Sequence, residues 1–182
     1  IALFLYKFLL LSDSFFFFLT KKRYLFWLKD FFHEDSYTKI KVLDKDVNFF
    51  VPNSVTNNRV DTFYTKEPET LAWIDDFLED KNIIFWDIGS NIGQYSIYAA
   101  LKHEKCHVVS FEPSTSNLRV LSRNVSINDL EERIDIFTMP LIDKGHNFLM
   151  MNEKNFEEGR AQNSFGDELD HLGNKFSPKS KY

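Results

Sequence analysis

The rhythm of apolar and polar positions divides the chain into three parts. Residues 1–36 form a Phe-rich, basic stretch expected to be helical. Residues 37–66 carry a strand pattern. Ile40-Lys41-Val42-Leu43 and Val47 to Val51 read as two strands joined by a turn at Asp44-Lys45-Asp46. Arg59 to Thr65 predicts a further strand. Residues 67–182 then alternate. Glu67-Pro68-Glu69 opens a helix, because proline is tolerated in a first turn and acids suit the positive end of the helix dipole. Leu71, Ile74, Phe77 and Leu78 follow at helical spacing and predict one buried face, and Asp80-Lys81-Asn82 ends the run.

Ile83 to Asp87 is a short continuous apolar run, which predicts a strand buried on both faces. Gly89 to Gly93 reads as a loop and Gln94 to Leu101 as a helix. His107 to Glu112, Ser114 to Asn124 and Ile134 to Met139 read as strand, helix and strand. Strands alternating with helices predict an α/β fold with a parallel sheet and right-handed crossovers. Phe148-Leu149-Met150-Met151 is a candidate strand or hairpin.

Composition narrows the classes. With 43% hydrophobic residues in 182, the chain can bury a core and is not a disordered protein. Six glycines and five prolines exclude a collagen-like chain. One cysteine, Cys106, excludes an intrachain disulfide and speaks against a Cys-only zinc site. It fits a reducing, cytoplasmic setting. The net charge of −5 argues against a general nucleic-acid binder.

The 20 phenylalanines are unevenly spread, with nine in residues 1–32. That segment carries Lys7, Lys21, Lys22, Arg23 and Lys29 against Asp13 and Asp30, a charge of +3 that leaves −8 on the remainder. A helix packed on its own domain or on a partner is the first expectation, and contact with a membrane surface the second. A span needs about 20 mostly apolar residues. Lys7 and Ser12-Asp13-Ser14 interrupt the apolar run here, so a spanning helix is not expected. The segment is also a poor signal peptide, with no basic stretch before the apolar part.

The chemistry gathers in Phe85-Trp86-Asp87-Ile88-Gly89-Ser90-Asn91-Ile92-Gly93, which runs from strand through a glycine turn into a helix. Glycine supplies unusual backbone angles there and lets a ligand approach, and the helix that follows offers free N–H groups. Ligands of open α/β sheets lie at the carboxyl ends of the strands. Glu112 closes the next strand, 23 residues after Gly89. An acid about 20 residues past such a turn can accept hydrogen bonds from ribose hydroxyls. Turn and acid together point to a nucleoside-containing cofactor.

The dinucleotide fingerprint is G-x-G-x-x-G. Here Asn91 stands where its middle glycine would lie, which hinders approach to a pyrophosphate. Asp87 would repel a pyrophosphate but suits the ammonium and sulfonium of S-adenosyl-L-methionine. Electrostatics favour that cofactor over a nicotinamide dinucleotide, whose oxidoreductase chemistry is the alternative. A ligand-free turn, with Asp87 capping the helix and Glu112 merely solvated, is the plainest reading, and a non-catalytic binding or membrane-associated module using the Phe-rich start is a third.

Glu67-Pro68-Glu69-Thr70 with Trp73-Ile74, the Asp87 to Gly93 segment with Tyr95-Ser96, and Phe111-Glu112-Pro113-Ser114 with Asn117, Leu121, Asn124 and Asn128 together resemble the FkbM family of S-adenosylmethionine-dependent methyltransferases. The resemblance covers about residues 59–166. It implies a class I methyltransferase fold, a Rossmann-like parallel sheet, preceded here by the helical segment and the small β-hairpin region. It implies methyl transfer, typically to an oxygen of a sugar, glycan or secondary metabolite. On this chain it implies that Asp87, Gly89, Ser90, Asn91 and Gly93 cradle the methionine half of the cofactor, that Glu112 and Pro113 lie at the ribose, and that Asn117 lies near the adenosine. It places the adenine at Pro140-Leu141-Ile142-Asp143 and brings Glu67 and Thr70 close to the turn. For Glu67 and Thr70 a helix start and cap is nearly as good a reading. Asn124 and Asn128 read equally well as helix-end residues. Gly159 to Gly166 resembles a loop of the same family near the substrate.

Two motifs mislead. His103-Glu104-Lys105-Cys106-His107 matches H-E-x-x-H, but that zinc motif needs both histidines on one helix, and His107 begins a strand. Asn124-Val125-Ser126 is a formal glycosylation acceptor expected at the end of a helix. No residue stands out as a general base: His33, His103, His107, His146 and His171 sit in no recognisable acceptor motif. The polar residues 152–182 are too few for the remaining strands of a seven-stranded sheet. The sheet is therefore expected to be incomplete and the chain cut at both ends.

Overall fold

The computed structural model describes residues 1–78, 81–142, 149–161, 163–169 and 172–182. Asp80, Asp143, His146, Phe148 and His171, which figure in the expectations above, lie outside them. The chain divides into two compact units, residues 1–37 and residues 38–182.

The first unit is a pair of helices, α1 (Ala2–Thr20) and α2 (Leu25–Glu34). Lys7 and Ser12-Asp13-Ser14 interrupt the apolar run but not the helix, in line with the helical expectation for this stretch. Helix hydrogen bonds absorb the two serines, whose hydroxyls donate to Leu9 O and Leu10 O. Asp13 is buried where the chain turns back: its carboxylate accepts from Arg23 Nη1 at 2.8 Å and from the Leu25 N–H at 3.0 Å. Lys21 ends α1 in the left-handed conformation. By length and composition α1 is apolar enough to cross a membrane, and almost none of it is buried.

The second unit opens on a hairpin, β1 (Tyr37–Val42) and β2 (Lys45–Phe50). Its two-residue turn is Leu43-Asp44, both at positive φ, the primed geometry that suits strand twist. Lys45 and Asp46 therefore belong to β2 and not to the turn. Arg59 to Thr65 is not a strand. Helix α3 (Ser54–Asp61) covers its first residues, fixed by a capping box in which Asn53 and Thr56 satisfy each other's backbone N–H groups. Helix α4 (Pro68–Asp75) follows, burying Leu71 and Ile74. It stops before Phe77, and Leu78 is exposed.

The central layer is a parallel sheet of β3 (Ile83–Ile88), β4 (Cys106–Phe111) and β5 (Ile134–Phe137), in the order β3-β4-β5. Helix α5 (Gln94–Lys102) connects β3 to β4, and α6 (Thr115–Ser126) connects β4 to β5. This is the expected class I Rossmann-like arrangement of sheet and crossovers. β3 is not buried on both faces: Phe85 and Asp87 point into the core, while Ile84, Trp86 and Ile88 are 70%, 56% and 64% exposed. A second, small antiparallel sheet orders β6 (Met151–Glu153) between β7 (Ser164–Phe165) and β8 (Ser180–Lys181). Leu149 and Met150 precede its central strand.

Asn124 and Asn128 bind the hairpin to α6. Asn124 is fully buried, accepting from the Phe50 N–H at 2.7 Å and donating to Ile92 O at 2.8 Å. Asn128 accepts from the Asn48 N–H at 2.9 Å and donates to Asn48 O at 2.8 Å. Two amide side chains thus supply what a neighbouring strand would otherwise give to β2. They are framework residues, and the formal acceptor motif at Asn124 falls in the last turn of α6, the helix end expected for it.

Candidate functional site at the carboxyl ends of β3 and β4

Between β3 and α5 the chain makes a tight turn. The Gly89 and Ser90 N–H groups both donate to Phe111 O, at 2.8 and 3.0 Å, which ties the turn to the end of β4. The Ser90 hydroxyl donates to Asp87 O at 2.8 Å. Gly89 and Gly93 have φ of +79° and +85°, where a side chain is strained. The two glycines serve different ends. A Cβ on Gly93 would stand 2.5 Å from Leu121 Cδ1, so this glycine lets α5 and α6 close together. A Cβ on Gly89 would meet nothing within 4 Å, so this glycine faces open space.

Glu112 is buried directly behind the turn. One carboxylate oxygen accepts from the Asn91 N–H at 2.7 Å and the other from the Ser114 N–H at 2.8 Å. Burial pushes its pKa up to about 7, against the opposing effect of those two bonds. It is therefore not merely solvated: it holds Asn91 in its left-handed conformation (φ +52°). Asp87 does not cap α5. Its carboxylate accepts from the Ser96 hydroxyl, which is in turn 2.6 Å from the Ser110 hydroxyl. Burial raises the Asp87 pKa as well.

A cavity of about 370 Å³ opens in front of the turn. Asp87, Gly89, Ser90 and Asn91 line it, and so do Glu67 and Thr70. Glu67 stands at the start of α4, but its side chain makes no cap bond. It instead accepts from the Tyr95 hydroxyl, and burial together with this carboxylate drives the Tyr95 pKa upward. Arg59, Lys66, Trp73, Gln94 and Tyr95 complete much of the wall. Burial lowers the Arg59 pKa, and the charge of Glu67 offsets part of that cost.

Gly93, Glu112, Pro113, Asn117 and Leu141 are not in the cavity wall. Gly93 is a packing residue, and Glu112 reaches the cavity only through Asn91. Asn117 is buried, accepting from the Gly159 N–H at 2.8 Å and donating to Arg160 O at 3.0 Å. Asn91 Nδ2 donates to the same carbonyl at 2.9 Å. Two asparagines thus hold the 159–161 loop beside the turn, which puts the first residues of the Gly159 to Gly166 segment at the cavity. Leu141 is exposed beyond β5, and Pro113 O accepts from the Tyr182 hydroxyl at 3.4 Å. Asn91 Oδ1 is buried without a hydrogen-bond partner.

The histidines of the H-E-x-x-H match have different partners. The His103 Nε2 is 2.7 Å from Ile74 O, whereas the His107 Nε2 is 2.8 Å from Asp135 Oδ2. Among the described residues no group of three or more His, Cys, Asp or Glu side chains could hold a metal ion.

The sequence reading missed Arg59, Lys66 and Gln94 as cavity residues. Arg59 was masked by its assignment to a strand, and on α3 it reaches the turn through Gln94, whose amide donates to Arg59 O at 2.7 Å. A cap signal in Asn53-Ser54-Val55-Thr56 could have placed it on a helix.

No family model matches the chain. A protein described as methyltransferase sdnD, from Sordaria araneosa, is 42% identical over 43 residues, which are 24% of this chain and 17% of that protein. The match thus spans about a sixth of the relative's length. Among solved structures, an O-methyltransferase family protein from Burkholderia thailandensis aligns at 13% identity, over 50% of this chain and 27% of its own, with a TM-score of 0.40. The C-terminal domain of precorrin-6Y C5,15-methyltransferase from Rhodobacter capsulatus aligns at 19% identity, over 42% and 40%, with a TM-score of 0.36. The fold itself rests on the strand pairing described above.

Proposed function

We propose that residues 38–182 bind S-adenosyl-L-methionine and belong to a methyltransferase, of the FkbM kind that the motifs resemble, acting on an oxygen of a sugar, glycan or secondary metabolite. The observation that carries this reading is the cavity in front of the Asp87 to Gly93 turn. Its wall holds a buried carboxylate, a glycine with open space where a Cβ would stand, and an unpartnered Asn91 Oδ1. These features fit a cationic, nucleoside-containing group. The 43-residue likeness to a methyltransferase supports the same class.

Bound there, the cofactor supplies a methyl group on a sulfonium that a nucleophile can displace. Asp87 would face the positive charge, held by the Ser96 hydroxyl. Asn91 Oδ1 would accept a hydrogen bond from the group. Glu112 keeps the turn in shape by accepting from the Asn91 and Ser114 N–H groups. The Tyr95 hydroxyl donates to Glu67, and burial together with that carboxylate keeps Tyr95 protonated beside the cavity. Catalysis then rests on holding acceptor oxygen and methyl group in line. Asn91 in place of a middle glycine speaks against the pyrophosphate of a nicotinamide dinucleotide. Calorimetric titration tests the choice: saturable heat with S-adenosylmethionine and none with NADH is expected, and the reverse pattern refutes it.

We further infer that residues 1–32 contact a membrane, with α1 as the inserted segment. Nineteen residues at 1.5 Å rise give about 28 Å, close to the thickness of a hydrocarbon core. The one acid in α1 is already paired with Arg23, as an apolar medium requires. Lys21, Lys22 and Arg23 follow directly, which favours a cytoplasmic location for the chain after α1. Leu11→Arg with Phe15→Arg is expected to abolish cosedimentation with anionic liposomes, and undiminished cosedimentation refutes the inference.

A further inference from the structure

A second concavity, of about 260 Å³, adjoins the cofactor cavity and shares Arg59, Lys66 and Ala161 with it. Its wall carries four cationic side chains, Arg59, Lys66, Lys154 and Arg160, together with Asn58 and Asn155, and no acid. That concentration is at odds with a chain whose net charge is −5. Four like charges around one hollow repel one another and focus a positive field into it. Two acids outside the wall reach its cations: Glu157 pairs with Arg160 Nε at 2.7 Å, and Glu67 lies 3.7 Å from Lys66 Nζ. Each occupies only part of its partner's donors, since a guanidinium has five and an ammonium three.

The hollow is also braced. Arg59 Nε donates to Gly159 O at 2.5 Å, which fixes this guanidinium on the boundary between the two cavities. Arg160 is anchored through its carbonyl by Asn91 and Asn117. The planar fork of arginine matches the oxygens of a phosphate or carboxylate. An oxyanion held here would lie next to the cofactor cavity, where a methyl acceptor has to be.

We propose that the hollow bounded by Arg59, Lys66, Lys154 and Arg160 binds the oxyanion, phosphate or carboxylate, of an acidic methyl acceptor. Its role as an acceptor site rests on the methyltransferase reading above; its anion binding does not.

The test titrates inorganic phosphate and sodium acetate separately into the full chain at constant ionic strength, followed by calorimetry. Saturable binding of at least one anion is expected, weakened tenfold or more in Lys154→Gln/Arg160→Gln and about threefold in Lys66→Gln. The anion that binds distinguishes phosphate from carboxylate. Absence of saturable binding by either anion, or affinities unchanged in the variants, overturns the proposal. If the double variant does not melt cooperatively, Lys66→Gln decides. S-adenosylhomocysteine is titrated into the same wild-type protein. Its binding without either anion rejects the anion site and leaves the cofactor reading intact. Anion binding without S-adenosylhomocysteine rejects the acceptor role together with the cofactor reading.

Discussion

The helix pair of the first unit and the core of the second use the same residue, phenylalanine, in opposite ways. In residues 38–182 Phe49 and Phe50 are fully buried, and Phe85 and Phe111 nearly so. In residues 1–37 Phe4, Phe15 and Phe18 are 73%, 66% and 72% exposed. Pattern explains the difference. α6 offers one apolar face, and β2 places Phe49 and Phe50 on opposite faces, both covered by the same unit. Helix α1 is apolar all round, and a single short partner cannot cover such a surface. Composition alone therefore says little about burial, and the contrast marks which apolar residues hold the fold and which the unit leaves uncovered.

Truncation is the strongest way to break the contrast. Phe49→Ala is expected to destabilise the protein by about 3–5 kcal/mol in urea unfolding. Phe15→Ala should change stability by about 0.5 kcal/mol or less, because an exposed ring leaves no cavity. Equal losses at the two positions would show that the first unit has a core of its own.

The next largest effect concerns Glu112. Its pKa rises from 4.5 to about 7 on folding, so the folded state binds the proton more tightly. The Glu112 contribution to stability is then fully present below pH 4.5 and is lost as pH rises through about 7, a change on the order of 3 kcal/mol. Glu112→Gln should flatten that dependence in urea midpoints measured from pH 4.5 to 7.5. An unchanged slope would mean that the carboxylate is solvated after all.

The glycine pair gives a smaller effect. Gly93→Ala combines a left-handed backbone with a clash on Leu121 and should cost about 2–3 kcal/mol. Gly89→Ala carries only the backbone strain, about 1–2 kcal/mol. Thermal melts that rank them in the other order would contradict the division of labour between packing and ligand.

Much of the second unit was legible in the sequence because its signals are local. The run from Ile83, the Gly89 to Gly93 turn and the acid at Glu112 gave β3, β4 and the site between them. Arg59 to Thr65 misled because β-branched and aromatic residues favour a strand locally, whereas the capping box at Asn53 and Thr56 commits the chain to a helix. The burial of β3 on one face only could not be read, since an apolar run does not say what covers it. The partners of Asn117 and Asn91 in the 159–161 loop lie 42 to 69 residues away. Asparagine pairing at that distance leaves no periodic trace. In the first unit, Lys7 and Asp13 looked like interruptions, but the Arg23 that answers Asp13 is ten residues on, across the turn.

The central claim, that the Asp87 to Gly93 turn is a cofactor site and not a packing feature, is tested most directly by titrating S-adenosylhomocysteine into the wild-type protein and Gly89→Val by calorimetry. The account predicts saturable binding to the wild type and at least a tenfold loss in Gly89→Val, whose side chain would enter the open space in front of the turn, with a cooperative melt retained. Equal affinity in the two proteins, or no binding to the wild type, would contradict it.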